Sequence, residues 1–199
     1  VASITAILLT VVSLALGYLL SPLFALILTA YLITNLLYSR WLKHVAILDV
    51  LIVSSGFVFR VAAGVALITV ERFSPWLYMI TILFSLYIGL GKRRAELNLL
   101  SDAASAHRKV FDGYTIPLLD QYITIVSGMT IVAYSLYTFS AVNLPENHSM
   151  MLTIPFVVYG IFRYLQLIQM GHAAGSPDEV ALKDRPLQWT VVLWGLAVI

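Results

Sequence analysis

The sequence contains no cysteine, which removes disulfides, thiolate nucleophiles and Cys-ligated metals from consideration. Charge is the second scarcity. Only 11% of the 199 residues are Asp, Glu, Lys or Arg, against about 25% in soluble domains. The formal net charge of +2 gives no reason to expect nucleic acid as a partner. The four histidines, His44, His107, His148 and His172, show no metal-ligand spacing. Walker loops and nucleophile elbows are missing too, as are the alternating ten-residue strands of a membrane β-barrel.

What remains is apolar. The chain is 60% hydrophobic, with a mean hydropathy of +0.91. Continuous apolar stretches of roughly 20 residues read as membrane-spanning helices. Seven such segments run over 1–20, 24–37, 46–69, 75–91, 115–139, 151–170 and 187–199. The fold class is therefore all-α, a polytopic transmembrane helical bundle. No linker interrupts it, so 1–199 reads as a single integral-membrane domain. The chain starts on Val1 and stops on Ile199, each inside an apolar run, as a piece of a longer protein would.

Orientation follows from the cations, because cytoplasmic loops retain Lys and Arg. Alternate loops hold Arg40 and Lys43, then Lys92, Arg93, Arg94, Arg108 and Lys109, then Lys183 and Arg185, nine in all. The opposite loops hold only Arg72. The nine-fold excess assigns the first face to the cytoplasm. That face also carries Asp49, Glu96, Asp102, Asp112, Asp178, Glu179 and Asp184. Topology does not require carboxylates, so a mixed-charge face reads as a candidate site. Two of its loops have helix signals. Ser176 with Glu179 forms a capping box ahead of Pro177, and Ser101 can cap a helix that Gly113 ends. They are either surface helices or a lid over a headgroup site.

Three constellations stand out, each with a plain structural reading beside the functional one. In "NLLYSRWLKHVAILD", Tyr38, Trp41 and Lys43 could be an interfacial anchor belt. Inside the spans, Arg60 lies between Gly56 and Gly64, and Arg163 precedes Gln166 and Gln169. Intramembrane charges usually face the bundle interior or a polar cavity, and flanking glycines would allow close helix contact. Finally, "SLYIGLGKRRAELNLL" ends an apolar segment on Lys92, Arg93 and Arg94, with Glu96 just beyond. These could be helix-end anchors, Arg94 above all, with Glu96 paired at i,i+3 or i,i+4. Lys as a point charge beside Arg as a fork is also the usual means of binding phosphate.

Taken in order, "YSRWLKHVAILDV", "GFVFRVAAG", "SPW", "GKRRAEL", "RKVFDGYT" and "DEVALKDRPLQ" resemble the UbiA superfamily of membrane prenyltransferases. The similarity is greatest to its decaprenyl-phosphate phosphoribosyltransferase branch. Typical members carry an Asp-rich second motif where this chain has GKRRAEL. The resemblance implies a nine-helix bundle, of which about seven spans are present here, in a bacterial inner membrane with a cytoplasmic site. It implies transfer of 5-phosphoribose from 5-phosphoribosyl diphosphate to a polyprenyl phosphate, toward a cell-envelope arabinan precursor. It also implies Mg²⁺, held by an Asp-rich motif that these residues lack, and hence a chain inactive without that motif. Lys92 and Arg93 would contact donor phosphates, with Glu96 orienting them or touching a ribose hydroxyl. Tyr38, Lys43 and Arg60 would lie near the lipid phosphate. Arg108, Lys109, Asp178, Glu179 and Asp184 would belong to covering loops. No general acid or base is assigned, and assembly into a homo-oligomer stays open. Two other readings stay open: prenyl transfer from a diphosphate to an aromatic or lipid acceptor, and a membrane transporter or lipid-binding protein.

Overall fold

The structure is a computed structural model and describes residues 2–68, 74–101, 113–141, 144, 147–170 and 182–198. Every long element is helical. The helices are α1 (Ala2–Leu20), α2 (Pro22–Arg40), α3 (Leu48–Val65), α4 (Pro75–Ser101), α5 (Ile116–Ser140), α6 (Ile154–Gln169) and α7 (Arg185–Val198). Short 3₁₀ turns at Leu42–His44 and Ser149–Thr153 precede α3 and α6. The seven expected segments are therefore the seven helices. Five of these segments are long and apolar enough to cross a membrane; α1 contributes a shorter apolar stretch, Ile4–Leu20. At 1.5 Å per residue, the 25 residues of α5 reach about 37 Å, beyond the roughly 30 Å hydrocarbon core. The proposed loop helices around 102–112 and 176–184 lie, but for 182–184, outside the described residues.

Local signals set the helix starts. Ser21 accepts a hydrogen bond from the Phe24 N–H ahead of α2, and Thr115 does the same for Leu118 ahead of α5. In both cases proline occupies the first turn, where its missing N–H costs nothing. Each helix packs on its neighbour in sequence, most extensively α4 on α5, and α4 also reaches α6. Contacts between the start of α3 and the end of α4, and between the start of α5 and the ends of α4 and α6, make the bundle antiparallel. Arg40, Lys43, Lys92, Arg93, Arg94 and Arg185 consequently share one end, the basic end.

The core lies toward that end, formed by Val50, Tyr87, Leu90, Tyr114, Leu119, Ile123, Ile161, Tyr164, Leu167 and Ile168. Among lipid tails, helices associate through close packing and hydrogen bonds rather than hydrophobic exclusion. Gly89 and Gly91 supply the packing. A Cβ on Gly89 would sit 2.7 Å from Val50 of α3, and one on Gly91 2.7 Å from Ile168 of α6. Two glycines two residues apart thus let α3 and α6 close on nearly opposite faces of α4. Tyr87 supplies a hydrogen bond, donating to the Ile161 carbonyl at 2.6 Å while its ring meets Tyr164 edge-on. At the other end, Trp194 Nε1 donates to Tyr134 Oη, which lies 2.6 Å from Thr153 Oγ1.

Candidate functional site

The basic end is organised around one buried carboxylate. Asp49 opens α3 and is 0% exposed. An ionised carboxylate there costs several kcal/mol unless fully paired, and two donors meet it. Arg93 Nε of α4 approaches Oδ2 at 2.6 Å, and Tyr114 Oη donates to Oδ1 at 2.7 Å. Arg93 also gives an Nη1 hydrogen to Glu96 Oε2, three residues on. Of the five N–H donors of a guanidinium, these two carboxylates take two, and the other three meet no acceptor among the described residues.

Tyr114 has a second partner. Its hydroxyl oxygen accepts the Ile47 N–H at 2.6 Å. Ile47 has φ 70° and ψ −48°, a strained setting for a β-branched residue that costs on the order of 1–3 kcal/mol. The Tyr114 bond helps hold it. Beside it, Gly113 leaves room for Ala46, whose Cβ would lie 2.5 Å from a Cβ on that glycine. Burial, and then the hydrogen bond to Asp49, push the Tyr114 hydroxyl above the ordinary phenol range. It therefore stays a proton donor at physiological pH.

The other expected residues distribute around this centre. Lys92 is exposed, and among the described residues it has no partner. Lys43 lies half-buried in the 3₁₀ turn, also unpaired among the described residues, four residues before Ile47. Tyr38 is half-buried near the end of α2. Arg40 stacks on Trp41 at 5.8 Å. Arg108, Lys109, Asp178 and Glu179 lie outside the described residues.

Arg60 is not brought to this end. It stands 11 residues along α3 from Asp49, about 16 Å at 1.5 Å per residue. Among the described residues it does not face the interior of the helix packing either. It is exposed, hydrogen-bonds Tyr31 Oη at 3.0 Å and stacks on Tyr31 and Phe57. The glycine stripe likewise shows little close packing: among the described residues a Cβ on Gly56 would lie 3.4 Å from the Tyr31 ring alone, and one on Gly64 would meet nothing within 4 Å.

Two arginines brace helices. Arg94 is no headgroup anchor: it reaches Asp120 of α5 at 2.5 Å and the Ile168 carbonyl of α6 at 2.9 Å. Arg163 of α6 grips both oxygens of Asp184, at 3.2 and 2.7 Å, and also bonds Gln166. Asp184 caps α7 through the Leu187 N–H at 2.9 Å. The Arg163 hydrogen bond, above all, holds the Asp184 carboxyl below its usual range. The polar cavity expected near Arg163 is an open groove along α6, bordered by Val158, Tyr159 and Phe162.

Sequence reasoning passed over Tyr114 and Asp120, and it set Asp49 beside Tyr38, Arg40 and Lys43 in NLLYSRWLKHVAILD and among the seven acids without giving it a partner. Asp120 had a signal: a lone acid inside an apolar span is costly and calls for a cation. Tyr114 had none, since its two partners are 65 and 67 residues away. For Mg²⁺ the described residues supply no ligand set: no group of three or more His, Asp or Glu is placed to hold a metal among them. Asp49, Glu96, Asp120 and Asp184 are each engaged by an arginine.

Comparison with known proteins agrees with this architecture. The profile of the UbiA prenyltransferase family matches residues 1–178. The decaprenyl-phosphate phosphoribosyltransferase of Mycobacterium tuberculosis is 35% identical over 190 residues, 95% of this chain and 62% of its own length. Its namesake in Mycolicibacterium smegmatis is 34% identical over 196 residues, 94% of this chain and 61% of its own length. The one in Corynebacterium glutamicum is 30% identical over 182 residues, 88% and 53% respectively. The chain thus spans about three-fifths of the length of the first two relatives. It is a helical membrane protein that belongs to the UbiA prenyltransferase family.

Proposed function

We propose that the protein containing this chain transfers 5-phosphoribose from 5-phosphoribosyl diphosphate to a polyprenyl phosphate, at the cytoplasmic face of a bacterial inner membrane. A phosphate oxygen of the lipid bonds to ribose C1 while the C1–O bond to diphosphate breaks, and diphosphate leaves with the electron pair. The product would serve cell-envelope arabinan synthesis. Lys92 carries the reading. It is an exposed, unpaired cation among the described residues, beside an arginine whose position is fixed, on the sequence GKRRAEL. The names of the relatives support the same chemistry.

The charges refine the roles. Asp49, Arg93 and Glu96 together carry one net negative charge, so Arg93 is not a free cation. Its remaining N–H groups can still orient an anion, with Glu96 holding its fork. Lys92, and Lys43 across the end of the bundle, supply the uncompensated charge. Catalysis on this account is electrostatic: the donor's diphosphate is neutralised and positioned as positive charge builds at C1. Polyprenyl phosphate is already ionised near pH 7, so no general base is needed. Magnesium would add charge neutralisation when bound, and we assign its ligands outside the described residues, because the described carboxylates at this end are already engaged. Tyr38 remains a candidate for the lipid phosphate, Arg108 and Lys109 for the donor. Arg60 stands too far along α3 for the same headgroup.

Lys92→Ala in the full-length protein tests this. Donor KM should rise at least tenfold, a loss of about 1.4 kcal/mol, with the thermal midpoint unchanged. Unaltered donor kinetics would reject the role of Lys92.

A further inference from the structure

We infer that Tyr114 is a positioning residue, latching the turn that carries Lys43 to the Asp49–Arg93 pair so that both cationic sides of the site keep a fixed spacing. Two separate sets of contacts carry this. On one side the hydroxyl takes the Ile47 N–H at 2.6 Å, and Gly113 seats Ala46 in the same segment. On the other it gives its proton to Asp49 at 2.7 Å, and Asp49 holds Arg93 Nε at 2.6 Å. A single phenol therefore joins the α2–α3 turn, the first turn of α3, the end of α4 and the residue before the cap of α5.

The arrangement is more specific than packing demands. A buried ring would satisfy the core with phenylalanine, and the Ile47 N–H would then lose its acceptor within the protein. The strained backbone of Ile47 would lose its hold, and Asp49 would keep only Arg93. Relaxation of Ile47 moves the preceding turn, and Lys43 with it, while α4 stays braced by Arg94 on Asp120 and Ile168. Lys43 and Lys92 would then lose their common frame. Precise placement of this kind affects how well a doubly phosphorylated donor and a lipid phosphate are held together. In its kinetic part the inference rests on the phosphoribosyl-transfer reading; in its structural part it does not.

Tyr114→Phe in the full-length protein, freed of other cysteines and reconstituted in lipid nanodiscs, separates the two. Spin labels go on His44→Cys and Leu99→Cys, both at exposed positions, in the turn before α3 and near the end of α4. The label-to-label distance distribution should broaden in Tyr114→Phe. Donor KM should rise about tenfold with kcat within threefold. Gly113→Ala, which pushes Ala46 away from the other side, should broaden the same distribution. An unchanged distribution in both variants overturns the latch, as does a fall in kcat at constant KM. Loss of folding in both would assign the residues to stability alone and overturn it equally. If the unmodified protein transfers no phosphoribose, the functional reading fails while the distance measurement still decides the latch.

Discussion

At the level of single residues, Lys92 and Arg93 are adjacent cations with different environments. Arg93 is 11% exposed along its side chain and lies between two carboxylates, whereas Lys92 faces outward. Helix geometry alone separates them, since neighbours on a helix point about 100° apart. The sequence reveals the i,i+3 pair of Arg93 and Glu96, because that spacing is local. It hides the fully buried partner, Asp49, which is 44 residues away and becomes adjacent only when α3 packs on α4. Asp49→Ala would leave Arg93 its bond to Glu96 but strip the buried acceptor from Arg93 Nε and from Tyr114 Oη, and an orphaned buried donor costs about 1–3 kcal/mol. Asp49→Ala should therefore lower stability by about 1–3 kcal/mol, read as a fall in the thermal midpoint of the purified protein. A change below about 1 kcal/mol would mean that water reaches the pair and relieves the burial cost.

At the level of elements, helix positions were legible because hydropathy and chain reversal share a cause. An apolar span ends where polar backbone can again find water, and Ser21-Pro22 and Thr115-Ile116-Pro117 mark starts in the sequence itself. The brace between Arg94 and Asp120 was half legible: Asp120, a lone acid in an apolar span, calls for a cation, but Arg94 reads as helix-end polarity until α4 and α5 are set side by side. Asp184 was legible as an acid on the right face. Its partner was not, since Arg163 reaches it across two helices. The Arg163–Asp184 contact makes the start of α7 sensitive to acid. Arg163 lowers the Asp184 pKa in the folded state. Its contribution is fully present above the ordinary carboxylate value of about 4, and it is lost as pH falls through the lower folded value. Amide protection at Leu187 should thus drop between pH 6 and pH 3. Arg163→Gln should remove most of that dependence. Equal protection at both pH values would show that the cap holds without the charge.

At the level of the whole molecule, the basic end combines two kinds of surface. A centre of paired charge around the buried Asp49 fixes the geometry, and exposed cations such as Lys92 and Arg40 surround it. Composition alone revealed the membrane-spanning class, and the bias of Lys and Arg revealed which helix ends gather the basic residues. Neither could show that Arg60 and the basic end stand about 16 Å apart, because a hydropathy pattern carries no distance between side chains. The central claim concerns which bond is broken, and positional labelling of the donor tests it most directly. Membranes containing the full-length protein would receive polyprenyl phosphate and 5-phosphoribosyl diphosphate labelled either on the 5-phosphate or on the diphosphate. The account predicts that 5-phosphate label enters the lipid extract, only when polyprenyl phosphate is present, while diphosphate label stays in the aqueous phase. Absence of lipid-borne 5-phosphate label, with consumption of a prenyl diphosphate by the same membranes, would contradict it.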